Sequence, residues 1–232
     1  MQLFYIQNIE KNSYLEKEEF IHATKVLRKK IGDIILVING KGDLFNCKII
    51  EIASKKCFVE IERKQSFPKT NNLHIAIAPT KNINRLEFFL EKVTEIGITK
   101  ITPILCARSE RKVIKKERLE KILLSASKQS KNFHLPVLNE LISFKDFIKK
   151  TNQELRLIAH CEEEPTKKTI VNYDFDKEKS VLILIGPEGD FTNQEIELAK
   201  ENDFQELSLG ESRLRTETAG IVSCTLYNSK LN

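Results

Sequence analysis

Val181-Leu182-Ile183-Leu184-Ile185-Gly186-Pro187-Glu188-Gly189-Asp190-Phe191-Thr192-Asn193-Gln194-Glu195 runs from unbroken aliphatic residues through a glycine-proline turn into a helix start. Five aliphatic residues without alternation read as a buried strand. Thr192 and Glu195 form a T-x-x-E capping box, so residues 186–190 are the loop between that strand and the next helix. The pattern repeats downstream: Gln205–Leu209 reads as a strand, Gly210 as a turn, and Thr216–Leu226 as a helix. Leu155–Ala159 is a further strand. Upstream, Leu73–Ala78 is a buried strand, a helix starts near Asn84 with Glu87 three residues on and stops at Gly97, and Ile101–Cys106 is again a strand. A basic helical stretch ending near Lys131 follows. Strands alternating with helices define an α/β domain.

In such sheets ligands sit beyond the carboxyl ends of the strands. The loop Gly186-Pro187-Glu188-Gly189 and the loop Gly210 to Ala219 both lie there. Glycines let bare amides and carbonyls approach a flat heterocycle, and a proline stiffens the turn. A lone G-P-x-G is usually only a tight turn; two such loops make a pocket hypothesis. The chain has neither G-x-G-x-x-G after a strand nor G-x-x-x-x-G-K-[ST], which disfavours a dinucleotide fold and a P-loop.

The amino-terminal part reads differently. Leu3–Ile6 opens it, Glu18–Arg28 is its helix, and Ile34–Ile38 and Leu44–Ile52 are strands joined by Asn39-Gly40-Lys41-Gly42-Asp43, with Cys57–Ile61 as the next strand. A small β-barrel is the expected closure. Phe67-Pro68-Lys69-Thr70-Asn71-Asn72 has linker composition, so the expected domains are 1–68 and 69–232.

Five widely separated cysteines with no C-x-x-C pair, and four scattered histidines, argue against a disulfide framework and a structural metal. Residues 1–68 carry 12 basic and 9 acidic side chains, residues 69–150 carry 17 and 8, and residues 151–232 carry 9 and 16. The basic middle third, densest from Arg108 to Lys131, suits a phosphate backbone, or is simply a solvated helix face. Leu3-Phe4-Tyr5-Ile6 is too short an apolar run for a signal peptide, and no run spans a membrane, so a cytoplasmic location is expected.

The two loop signatures, Ile185 to Glu195 and Leu209-Gly210-Glu211-Ser212-Arg213-Leu214-Arg215-Thr216-Glu217-Thr218-Ala219, resemble those of the ribosomal RNA small subunit methyltransferase E family of the SPOUT superfamily. The resemblance covers the whole chain. His22 with Val26-Leu27-Arg28 and Gly32-Asp33 resembles the family's H-x-x-x-V-L-R…GD; Arg85-Leu86-Glu87 with Lys92, Glu95 and Gly97 resembles its R-L-E…K-x-x-E-x-G; Ser127 to Pro136 is similar to its S-x-Q-S…P segment. Asp190 stands where the family usually has glycine. The resemblance implies a PUA-like RNA-binding β-barrel followed by an α/β methyltransferase domain whose carboxyl-terminal part is a trefoil knot, assembled as a homodimer. It implies S-adenosylmethionine as cofactor, 16S rRNA of the small ribosomal subunit as partner and substrate, and N3-methyluridine as product. The cofactor-holding residues it implies are Leu184, Ile185, Gly186, Pro187, Glu188, Gly189, Leu209, Gly210, Leu214, Arg215, Thr218 and Ala219.

Methyl transfer to a uracil nitrogen needs alignment, loss of a weakly acidic proton, and stabilisation of the resulting anion. Arg215 is the expected electrophile, with a phosphate clamp or an ion pair to Glu217 as the plainer alternatives. Glu217 is the candidate base, or only a carboxylate complementing a helix dipole. Glu188 orients a ligand or caps the next helix; Thr216 and Thr218 cap or bind; His160 is a strand-end group near the pocket or a core histidine. Expected RNA contacts are His22, Arg28, Lys29, Lys30, Arg108 and Arg111, although lysines there also suit plain surface, and His22 is either a cap or a stacking ring. A non-catalytic RNA-binding factor would need only the barrel and the basic stretch, leaving the two loops without purpose. A related knotted enzyme acting on a ribose hydroxyl or another base is the closer rival.

Overall fold

Short alternating runs at the amino end pair into one five-stranded sheet. Its strands are β1 (Leu3–Tyr5), β2 (Tyr14–Glu16), β3 (Ile34–Ile38), β4 (Asp43–Ile52) and β5 (Lys56–Ser66), in the order β1-β3-β4-β5-β2. Only β1 and β3 run parallel; the other neighbours are antiparallel. Irregularities at Asn46/Cys47 and Ile49/Glu51 curl β4. The edge strands β1 and β2 are not paired in that order, yet Phe4 of β1 and Leu15 of β2 enter one core with Ile35, Val37, Phe45, Cys47 and Val59. The expected barrel is thus a curled sheet closed by side-chain packing rather than by a hydrogen-bonded seam among the described residues. β2 was not foreseen, because three residues are too few to establish a period.

The expected helix 18–28 is instead a short helix, α1 (Lys17–Ile21), that widens into a π-helical turn over His22–Val26. The Leu27 amide reaches back to the His22 carbonyl at 2.9 Å, and Arg28 ends the segment at φ +54°. No side chain caps its start, and the Thr24 hydroxyl bonds the Phe20 carbonyl at 2.8 Å, so little local chemistry holds a regular helix here.

This computed structural model describes residues 2–162 and 167–231; the outermost residues of the two expected spans, 1 and 232, lie outside it. The chain divides into one unit of Met1–Lys69 with Ser127–Leu135 and a second of Thr70–Ala126 with Pro136–Asn232. Within the first unit the mid-chain segment is held by backbone bonds from Gly42 to the Phe133 carbonyl and from Leu135 to the Gly40 carbonyl, both 2.9 Å.

The second unit is built on parallel strands: β6 (Leu73–Ile77), β7 (Lys100–Leu105), β8 (Val137–Leu138), β9 (Ile142–Ser143), β10 (Leu155–Ala159), β11 (Lys168–Thr169), β12 (Val181–Ile185) and β13 (Gln205–Ser208). The order is β11-β13-β10-β12-β6-β7-β8, with β9 also on β7. β6 and β12, side by side in the middle, are buried at every position. Helices α2 (Ile83–Ile96), α3 (Lys116–Ser130), α4 (Phe144–Ile148), α5 (Asn193–Glu201) and α6 (Thr216–Leu231) complete the unit, α3 ending among first-unit residues. α2 is capped by Asn82, whose side chain accepts from the Asn84 amide at 3.0 Å, not by a box from Asn84 to Glu87. Residues 108–115 are irregular, so the basic stretch becomes helical only at Lys116.

Phe144, Phe147, Phe191 and Phe204 pack with β12 and β6 side chains into one core, each contributing roughly 1.5–3 kcal/mol by burial. Cys47, Cys57, Cys106 and Cys224 are buried and Cys161 is exposed. Burial pushes the Cys47 and Cys224 thiols up to about 12, which makes them inert small hydrophobes. Among the described residues no helix is long and apolar enough to cross a membrane.

Candidate active site

Strands β13, β10 and β12 are parallel neighbours, so their carboxyl ends open on one side of the sheet. The segments that leave them, together with the start of α6, line a cleft of about 1180 Å³. Aliphatic strands carry the chain into the core, and each must turn where the apolar run stops.

At the end of β12, Gly186 and Pro187 are still buried while Glu188 and Gly189 are exposed. The Asp190 amide closes the turn onto the Pro187 carbonyl at 2.9 Å. Asp190 has φ +64°, the left-handed region that glycine favours and aspartate tolerates. Its carboxylate accepts from the Phe191 amide at 2.8 Å and from the Cys161 amide at 2.7 Å, pinning the β10 end to the β12 loop. The conformation that suits a glycine is therefore retained, with a latch added. Next comes the expected capping box: Thr192 accepts from the Glu195 amide at 3.2 Å and Glu195 accepts from the Thr192 amide at 2.9 Å.

At the end of β13, Gly210 has φ +125°, and nothing lies within 4 Å of where a Cβ would stand. This leaves bare backbone on the cleft wall. Leu214 is half-buried between the exposed Arg213 and Arg215, and all three line the cleft.

Of the expected cofactor residues, Ile185, Gly186, Pro187, Glu188, Leu209, Gly210, Leu214, Arg215 and Ala219 line this cleft. Leu184, Gly189 and Thr218 are not among its lining residues; Leu184 is buried in β12, and the Gly189 carbonyl faces Arg108. Glu217 also stays outside. Its buried side chain has Oε1 3.7 Å from Arg85 Nε of α2, and Oε2 has no hydrogen-bond partner.

The expected RNA contacts separate in the same way. In the first unit, the His22 ring packs tilted on Phe4 at 5.7 Å, and His22 is also the C-cap residue of α1. Arg28 and Lys30 are exposed and Lys29 is half-buried. In the second unit, Arg108 donates to the Gly189 carbonyl at 2.7 Å, and Arg111 donates to the carbonyls of Thr80 at 2.9 Å and Lys81 at 2.6 Å.

A buried polar cluster was missed. The His160 ring Nε2 lies 3.0 Å from Glu206 Oε1; a carboxylate only accepts, so Nε2 carries the proton. Lys167 Nζ donates to the carbonyls of His160 and Glu162 and sits 3.4 Å from His160 Nδ1. Burial, then the Lys167 charge, lowers the His160 pKa against the opposing pull of Glu206, which keeps the ring neutral. His160 stood out in sequence only as a strand-end histidine; Glu206, 46 residues away, carried no local signal.

This arrangement is that of an RNA methyltransferase. An RNA methyltransferase domain model matches residues 67–228, and an RNA methyltransferase PUA domain model matches residues 15–62. The chain belongs to the ribosomal RNA small subunit methyltransferase E family: a Rickettsia conorii relative of that name is 31% identical, over 96% of this chain and 92% of its own length. A probable rRNA-methyltransferase from Porphyromonas gingivalis has a crystal structure 40% identical in sequence, with a TM-score of 0.91, covering 99% of this chain and 98% of that one. A Legionella pneumophila methyltransferase with bound cofactor SAM is 29% identical, with a TM-score of 0.82, covering 93% and 90% of the two chains.

Proposed function

We propose that this chain transfers a methyl group from S-adenosylmethionine to N3 of a uridine in 16S rRNA of the small ribosomal subunit. The observation that carries the reading is the cleft at the carboxyl ends of β10, β12 and β13, walled by loop backbone and carboxylates. A flat adenine joined to a sulfonium cation suits such a wall. The open backbone at Gly210 leaves room for the heterocycle, and Glu188 and Asp190 supply negative charge on the same lining. The holding residues are proposed to be Ile185 to Glu188, Leu209, Gly210, Leu214, Arg215 and Ala219, largely through main-chain atoms. When bound, the sulfonium offers an electrophilic methyl for in-line displacement.

The chain's own work is to align and to stabilise. Alignment of two bound reactants is worth about 7–11 kcal/mol of barrier. In this reading Arg215, exposed on the cleft wall just before α6, stabilises the negative charge that develops on uracil as N3 gives up its proton to solvent. Glu217 faces Arg85, and in this reading it orients α2 against α6 instead of taking the proton. The first unit is read as the RNA-holding module, through His22, Arg28, Lys29 and Lys30, and its PUA match supports this. The carboxyl-terminal part is read as a trefoil knot within a homodimer, a reading that rests on the family membership. Such a substrate implies a cytoplasmic location.

Nucleoside mass spectrometry of 16S rRNA from cells lacking the protein tests the reading. N3-methyluridine should vanish and return with the wild-type chain. Unchanged N3-methyluridine, or loss of a ribose-methylated nucleoside instead, overturns it. Arg215→Ala should lower kcat by about 10²–10³-fold with little change in cofactor affinity; collapse of cofactor affinity would refute the electrophilic role.

A further inference from the structure

Three neighbouring strands, β12, β6 and β7, end side by side, and the loops that follow them are laced into a closed ring of polar contacts. From the β7 loop, Arg108 Nη1 donates to the carbonyls of Gly189 at 2.7 Å and Phe191 at 3.3 Å. Its aliphatic stem lies flat across Gly189, 3.4 Å from where a Cβ would stand. Arg111, in the same loop, donates from Nε to the Thr80 carbonyl and from a terminal nitrogen to the Lys81 carbonyl, both in the β6 loop. The Lys81 amide in turn donates to Glu188 Oε1 at 2.9 Å, which returns the ring to the β12 loop. A side branch runs from the Ala107 amide to Glu195 Oε1 at 2.8 Å, tying the β7 loop to the capping box of α5.

Two features of this ring point to a role. First, exposed arginines free to meet phosphate are expected to point into water, whereas these two guanidinium groups bind backbone carbonyls of their own unit. Second, the two carbonyls that Arg108 binds, Gly189 and Phe191, belong to the short stretch Glu188–Phe191, whose Glu188 and Asp190 line the cleft. A carbonyl at an exposed turn is otherwise free to flip with its peptide plane, which would swing the neighbouring amide as well. A charge-assisted bond on both Gly189 and Phe191 removes that freedom.

We propose that Arg108 and Arg111 are positioning residues for the donor loop: Arg108 holds the backbone of Gly189–Phe191 directly, Arg111 holds the β6 loop whose Lys81 amide binds Glu188, and neither contacts RNA. This rests on the reading that the cleft binds S-adenosylmethionine. Charged hydrogen bonds of this kind place the expected loss of cofactor affinity in Arg108→Ala on the order of ten-fold or more. The loss falls on KM for the cofactor, with kcat at saturating cofactor largely retained. Arg108→Lys, which keeps the charge but reaches one carbonyl at most, should recover part of it, and Arg111→Lys should show a smaller defect of the same kind.

The test is calorimetry with S-adenosylmethionine on wild type and the three variants, alongside the salt dependence of 16S rRNA affinity and amide hydrogen exchange. Weaker cofactor binding, faster exchange in residues 188–191 and an unchanged salt slope support the proposal. If Arg108→Ala instead binds cofactor like wild type while the slope falls by about 0.7–0.9, as for one lost phosphate contact, the proposal is overturned and the proposed function stands. Absence of cofactor binding by the wild-type chain overturns the proposed function, and the inference with it. Should Arg108→Ala fail to fold, the two lysine variants carry the same comparison.

Discussion

Asp190 combines a backbone conformation that favours glycine with a side chain that glycine lacks. Its φ of +64° costs an ordinary residue about 1–2 kcal/mol, while its carboxylate satisfies the Cys161 and Phe191 amides. The two effects oppose each other, which separates two substitutions. Asp190→Gly removes strain and latch together and should stay within about 1 kcal/mol of wild type in urea unfolding. Asp190→Ala keeps the strained backbone and loses the latch, so it should be destabilised by about 1–2 kcal/mol. Equal stabilities for the two variants would refute this account. The motif in the sequence marked the position as unusual, but only the structure showed the Cys161 amide, 29 residues away, as the partner.

Helix α5 shows how much local chemistry reveals about an element. The T-x-x-E pattern correctly placed its start, because a capping box involves only residues three apart and needs no tertiary partner. Glu195, however, uses its second oxygen on the Ala107 amide. Thr192→Ala should therefore cost about 1 kcal/mol, the usual worth of a cap, and Glu195→Ala more, since it also frees the β7 loop. Thermal melts of both variants check the ranking, and equal losses would mean the Ala107 contact is immaterial. Helix α1 shows the opposite case. Its sequence periodicity continues through Arg28, yet the hydrogen bonding shifts to a π-helical turn at His22, a choice made by packing of Ala23 and His22 on the sheet.

The stability of the molecule as a whole should respond to acid through His74. This ring is buried on β6, its Nε2 2.7 Å from the Thr102 hydroxyl, and burial, then the Lys100 charge, lowers its pKa to about 3 from 6.5. The unfolded chain thus binds the proton that the folded chain refuses. Stability is fully present above pH 6.5 and falls as pH drops toward 3. By pH 5 the loss is about 2 kcal/mol, readable in urea unfolding as a difference between wild type and a flatter His74→Gln. Parallel slopes for the two would refute it. Across the molecule, the sequence by itself determined the α/β alternation, the buried strands β6 and β12, the glycine loops beyond β12 and β13, and the capping box. Those features follow from periodicity and from contacts within a few residues. Tertiary structure alone decided that residues 127–135 fold with the amino-terminal unit, that Glu217 turns to Arg85, that His160 meets Glu206, and that Arg108 grips the β12 loop and Arg111 the β6 loop. In each case the partner lies far along the chain, 46 residues for His160 and Glu206 and 81 for Arg108 and Gly189, and a side chain's partner at that distance is set by which strands lie side by side.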